Sequence, residues 1–225
     1  MQENIKSRTR TVAILGVLSA IAYVLMVVLR VPLIPAAPFL KYDPKDVIIA
    51  IGGFLYGPLA SLAMSIVVSL AEWFTVSESG VIGCIMNIIS TVSFVCAAAY
   101  IYKKWRTLAG AAVGLVIGVL LCTIVMLLWN YLLVPIYTPY ISREAVLGML
   151  APIFLPFNLL KGGLNAAITM LLYKPVRLAL DKSHLLPLPA VSGVKTAKLS
   201  IGAILVSAFV IATCVLLILS LQGII

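Results

Sequence analysis

Apolar positions in this chain come in long blocks instead of alternating with polar ones. Six blocks, at residues 11–29, 59–74, 81–102, 108–134, 147–173 and 199–221, have lengths near those that cross a bilayer. A helix needs roughly 20 apolar residues to traverse about 30 Å of hydrocarbon. A shorter block, 47–56, stops at Gly57-Pro58 and is either tilted or extended by residues beyond it. Barrel strands would show short alternating segments. The pattern predicts an all-α integral membrane protein with seven spans. Residues 1–182 form a six-span membrane domain, 183–198 a cytoplasmic linker and 199–225 an extra C-terminal transmembrane helix.

Composition sharpens this. The chain of 225 residues is 63% hydrophobic and 10% charged, with a mean hydropathy of +1.20. That leaves too little polar surface to cover a water-exposed domain. The net charge of +9 is read through its distribution. With the N-terminus in the cytoplasm, Lys6, Arg8, Arg10, Lys103, Lys104, Arg106, Lys174, Arg177, Lys182, Lys195 and Lys198 all lie inside. This bias predicts a cytoplasmic N-terminus and an external C-terminus. The positive charge then serves insertion and contact with anionic lipid, with no nucleic-acid partner.

No enzyme constellation emerges. The only histidine, His184, falls in the linker, and "VSG" at 191–193 has no histidine partner within a span. There is no Walker motif. Cys84, Cys96, Cys122 and Cys214 sit inside spans without metal or CxxC spacing and read as small packing residues. Neither a metal site nor a catalytic set is expected. Acidic residues are few, and only Glu72 lies near the end of a span.

The informative positions are polar residues inside apolar blocks, because an idle polar group there is costly. In "FLPFNLLKGGLNAA", Asn158, Lys161 and Asn165 fall at i, i+3 and i+7. At 3.6 residues per turn they lie within about 60° of each other, on one stripe. No intramembrane carboxylate is evident to neutralise Lys161, so carbonyls or a ligand are its expected partners. Asn130 ends the fifth block, and Asn87, in the fourth, is either interhelical glue or part of the same site. Between two apolar blocks, "APFLKYDPKDV" at 37–47 gathers two lysines, two aspartates and a tyrosine. It reads as a structured cap or as a solvated interfacial loop.

"PFLKYDPKD", "WNYLLVPIY" and "NLLKGGLN" together resemble the riboflavin-binding S-component of energy-coupling factor (ECF) vitamin transporters. The resemblance covers residues from about 5 to 182 and implies a six-helix S-component bundle, to which the last span is an addition. It implies a non-enzymatic receptor that captures riboflavin from outside, with a transmembrane scaffold and two ATPases as partners and no cofactor of its own. The first outer loop would be a lid whose Phe39, Leu40 and Tyr42 face the flavin, while Asp43, Lys45 and Asp46 hold the lid's shape or its outer face. Asn130, Asn158 and Asn165 suit the donor–acceptor edge of the flavin ring, with Lys161 supplying donors. Asn87 is the remaining candidate for the site. Trp73, Trp129 and Tyr131 either line the cavity or anchor at the lipid interface. A small-residue motif in the first span would dock the scaffold through Gly16 and Ala20, with Ala13 and Ala22 widening the face. Two other readings stay open: an S-component for thiamine, biotin or folate, and a stand-alone secondary carrier, which would need a buried carboxylate.

Overall fold

The computed structural model describes residues 2–35, 37–77, 79–138, 141–183 and 201–224. His184, the "VSG" segment, Lys195, Lys198 and most of the linker lie outside the described residues. The apolar blocks become helices: α1 (Gln2–Val28), α2 (Lys45–Tyr56), α3 (Pro58–Thr75), α4 (Gly80–Lys104), α5 (Leu108–Tyr137) and α7 (Ile201–Leu221). Helix α6 runs through Arg143–Met149, a π-helical turn at Leu150–Phe154, and Leu155–Lys182. All except α2 are long and apolar enough to cross a membrane, and helices alone satisfy their backbone groups there.

Local chemistry sets the ends. Thr107 opens α5 by accepting from the Gly110 N–H at 3.0 Å, and Ser142 opens α6 by accepting from the Ala145 N–H at 3.2 Å. Between α2 and α3 the chain reverses at Gly57, whose φ of 96° favours glycine, and Pro58 starts the next helix. Pro152 and Pro156 lack the N–H that the α ladder requires, which accounts for the π-helical turn at the entry of α6. A second π-helical turn, Val92–Cys96, interrupts α4. There Gly118 of α5 meets the carbonyl of Phe94 so closely that a Cβ would collide with it.

Helix α2 extends the short block by only two residues, to 12 in all, and lies inside the bundle. Its residues from Lys45 to Phe54 are all buried, and it packs against α1, α3, α4 and α6. It forms the centre of the bundle. The main apolar cluster gathers around it, with Val47, Ile49 and Ile51 against Met64, Val68 and Phe94. At one end of the bundle Tyr102 and Tyr173 share a hydrogen bond of 2.6 Å, and Phe54 packs on both rings. Lys103, Lys104, Lys174 and Arg177 follow those two tyrosines in sequence, so the basic ends of α4 and α6 lie on the same side.

The opposite end carries the loop between α1 and α2. Its two short strands, β1 (Val31–Pro32) and β2 (Lys41–Tyr42), pair antiparallel, with Val31 opposite Tyr42. Helix α7 lies against α6, and its apolar outer residues, such as Leu205, Phe209 and Leu216, are exposed as a lipid-facing surface requires.

Candidate functional site

Charged residues of the loop and of α2 turn inward, not outward. Lys161 of α6 donates to Asp43 Oδ2 at 2.9 Å. Lys45, 1% exposed, donates to Glu72 Oε2 of α3 at 2.7 Å, and Glu72 is itself 3% exposed. Asn87 Nδ2 donates to the same Oε2 at 2.9 Å, and Arg30 approaches Oε1 at 3.7 Å. Asp46 Oδ1 accepts from the Thr91 hydroxyl at 2.7 Å. Burial opposes ionisation of Asp43, but Lys161 and Lys45 outweigh it and hold the carboxyl well below the usual range.

These contacts correct three expectations. Asp43, Lys45 and Asp46 do not form an outer face of the loop, because all three are buried. Lys161 has a carboxylate after all, brought from the loop 118 residues earlier. Buried carboxylates are present, so their supposed absence no longer argues against a carrier. The sequence did hold a signal for the Lys45–Glu72 pair: two opposite charges bordering apolar blocks are tolerable in a bundle only if they find each other.

Above this network lies a cavity of about 90 Å³. Asn87, Asn130, Asn158 and Lys161 line it, joined by Glu72 and Arg30. Met86, Met126, Phe157, Phe39 and Leu40 give it apolar walls. Asn130 Nδ2 donates to the Met126 carbonyl and Asn158 Nδ2 to the Phe154 carbonyl, each at 2.7 Å. One amide hydrogen of each is thereby committed, which leaves the carbonyl oxygen and the second N–H for a ligand. The wall is rich in acceptors, and the Lys161 and Arg30 cations already face carboxylates.

Other expected residues are placed elsewhere. Tyr42 does not face the cavity. Its side chain packs with Leu33, Ile34 and Leu160 on the far side of the strand, and its hydroxyl has no partner. Asn165, 1% exposed, shares the stripe with Asn158 and Lys161 but lies outside the cavity lining, and neither amide atom has a partner. Trp73 stacks on Phe74, and the Arg143 guanidinium lies over the ring of Tyr131. Neither aromatic lines the cavity, nor does Trp129. On α1, Gly16, Ala20 and Ala13 are exposed, and nothing lies within 4 Å of a Cβ built on Gly16. Ala22 is completely buried and cannot widen that face, because it points into the bundle. A larger cleft of about 500 Å³ between α5, α6 and α7 is lined by residues such as Leu115, Val119, Ala166 and Val210. It offers the Ser207 hydroxyl for polar recognition, which is far less than the smaller cavity provides.

The family described as ECF transporter, substrate-specific component, matches residues 10–173. A riboflavin transporter of Bacillus subtilis (strain 168), FmnP, is 32% identical over 174 residues, covering 74% of this chain and 91% of that protein. A riboflavin transporter of Streptococcus thermophilus, RibU, is 30% identical over 185 residues, covering 78% and 87%. A solved S component of a bacterial ECF transporter superposes with a TM-score of 0.64 at 29% identity, covering 77% of this chain and 98% of that one. The family match ends before α7.

Proposed function

We propose that this chain, which belongs to the family of substrate-specific components of ECF transporters, captures riboflavin. It is a multi-pass membrane transport protein and not an enzyme. The observation that carries the riboflavin reading is the convergence of Asn87, Asn130, Asn158 and Lys161 from three helices on one cavity with apolar walls. A flavin ring has broad apolar faces and one edge that alternates carbonyl oxygens with an N–H. Met86, Met126 and Phe157 suit its faces, and the three amides suit its edge. Ribityl hydroxyls would donate to the acceptor-rich side formed by Glu72 and Asn87. Ligand pockets usually enclose about 300–1,000 Å³, so the cavity has to widen by movement of the outer loop. Widening toward Asn165 would give its orphaned amide a partner, relieving a burial cost of about 1–3 kcal/mol.

Capture then follows from the loop. Lys161 pins Asp43, which brings Leu40 and Lys41 over the cavity. Loop closure excludes water and strengthens each polar contact inside. In this reading the basic end of the bundle faces the cytoplasm and the loop faces outward, with the N-terminus inside, as the bias of basic residues favours. The exposed Gly16–Ala20 face of α1 admits close approach by a helix of the scaffold subunit, and ATPase partners supply the energy.

The test is direct. The purified protein should carry a yellow flavin chromophore, or acquire one on titration, with quenched flavin fluorescence. Absence of any flavin binding, with thiamine, biotin or folate bound instead, overturns the riboflavin reading and leaves the family intact.

A further inference from the structure

The outer loop has two sides, and one of them shares an apolar cluster with the helix outside the family match. Side chains alternate along a strand, so Lys41 and Asp43 line the cavity while Tyr42 points away from it. Tyr42, with Leu33 and Ile34 of the same loop, enters an apolar cluster formed with Phe157, Leu160 and Leu164 of α6. Cys214 of α7 completes this cluster, flanked by Val210, Ile211 and Ile218. Inside it, α7 runs close to the α6 backbone, since a Cβ on Gly163 would touch Cys214 Sγ at 3.4 Å.

We infer that α7 positions the outer loop: by seating Tyr42, Leu33 and Ile34 it keeps Asp43 on Lys161 and sets the rate at which a captured flavin leaves. The inference rests on the flavin-capture reading above. A flavin cannot pass a cavity of about 90 Å³ unless the loop swings. A swing pulls those three side chains out of the cluster they share with α6 and α7 and exposes their apolar surface. The side chains of α7 in this cluster therefore contribute to the barrier for opening, although none of them lines the cavity. The buried Tyr42 hydroxyl, which has no partner, works in the opposite sense and weakens the seat.

The experiment uses the full chain reconstituted in lipid nanodiscs, loaded with riboflavin and followed by the recovery of flavin fluorescence on release. Val210→Ala/Cys214→Ala/Ile218→Ala should release flavin roughly tenfold faster, the scale set by a few lost methylene contacts, with an unchanged bound-flavin spectrum. Tyr42→Phe removes the orphaned hydroxyl and should slow release several-fold. A second readout needs no flavin. In a background with all four cysteines replaced by alanine, an Ile34→Cys probe should react faster with a maleimide once Val210→Ala/Ile218→Ala is added. If either readout is unmoved in α7 variants of normal melting temperature, or if Tyr42→Phe speeds release, the positioning role is overturned. If the unaltered chain binds no flavin, the capture reading fails on its own, and the labelling rate alone decides whether α7 seats the loop.

Discussion

Replacing Lys161 by methionine tests the site most sharply, because the riboflavin proposal gives this lysine two jobs, ligand contact and the hold on Asp43, that separate energetically. Its side chain is 14% exposed and that of Asp43 8%, with 2.9 Å between Nζ and Oδ2. Lys161→Met keeps the length of the side chain and removes the charge. Loss of one hydrogen bond to a ligand in a dry pocket costs about 1–3 kcal/mol, or roughly tenfold to hundredfold in affinity. The second cost falls on Asp43, left buried without its cation. Breaking such a pair by removing one partner costs about 3–5 kcal/mol. Protonating Asp43 at pH 7 offers no cheaper escape. Its ordinary value is 3.8, about three units below neutrality at about 1.4 kcal/mol each. The loop therefore opens, and the affinity of Lys161→Met should fall by more than the hundredfold that a lost ligand contact explains. Lys161→Met/Asp43→Asn removes the orphaned charge and should recover the excess, leaving a deficit of roughly tenfold to hundredfold. The assay is riboflavin titration by fluorescence quenching, with melting temperature measured beside it. Full recovery in the double variant would refute a direct contact and leave Lys161 as a pin for the loop. Unchanged affinity in Lys161→Met would refute both jobs.

Acidification probes the same pair. The Asp43 carboxyl is lowered from 3.8 to about 2, so its contribution is fully present at neutral pH and disappears as pH falls from about 4 toward 2; flavin release measured across that window should accelerate. Lys45→Met leaves Glu72 buried with Asn87 and the more distant Arg30 and should cost about 3–5 kcal/mol of stability, most of it restored in Lys45→Met/Glu72→Gln; thermal melts of the singles and the double decide this. Gly16→Trp/Ala20→Trp fills the exposed face of α1 and should abolish uptake in cells that supply the ECF partners while riboflavin affinity stays within about twofold; retained uptake places the docking surface elsewhere. Lys104→Cys should escape an impermeant maleimide in intact cells and react after permeabilisation, and external labelling would reverse the topology.

Which parts of the site could be read along the chain follows from distance in sequence. Asn158 and Lys161 share a helix face one turn apart, so spacing alone brought them together, and both line the cavity. Asn165 obeys the same periodicity yet lies beyond the cavity lining, because angular position says nothing about depth along the helix axis. Phe39 and Leu40 line the cavity and Tyr42 does not, since the two-residue strand turns Lys41 and Tyr42 to opposite sides. The need of Glu72 for an opposite charge was legible, but its partners, Lys45 and Asn87, come from two other helices, which periodicity along the chain does not bring together.

By itself, the sequence determined the helical class, the spans that cross the membrane, the break at Gly57-Pro58, the basic side and the polar stripe on α6. Each of these follows from local composition and period, through the cost of placing backbone or charge in hydrocarbon. Tertiary structure alone decided that α2 is the buried centre of the bundle. It also joined Asp43 to Lys161 and Lys45 to Glu72, and gathered Tyr42, Leu33 and Ile34 of the loop into one apolar cluster with Cys214 of α7. A buried charge requires a partner, but any of several opposite charges satisfies that requirement along the chain; only packing the helices in space selects which one arrives within hydrogen-bond reach.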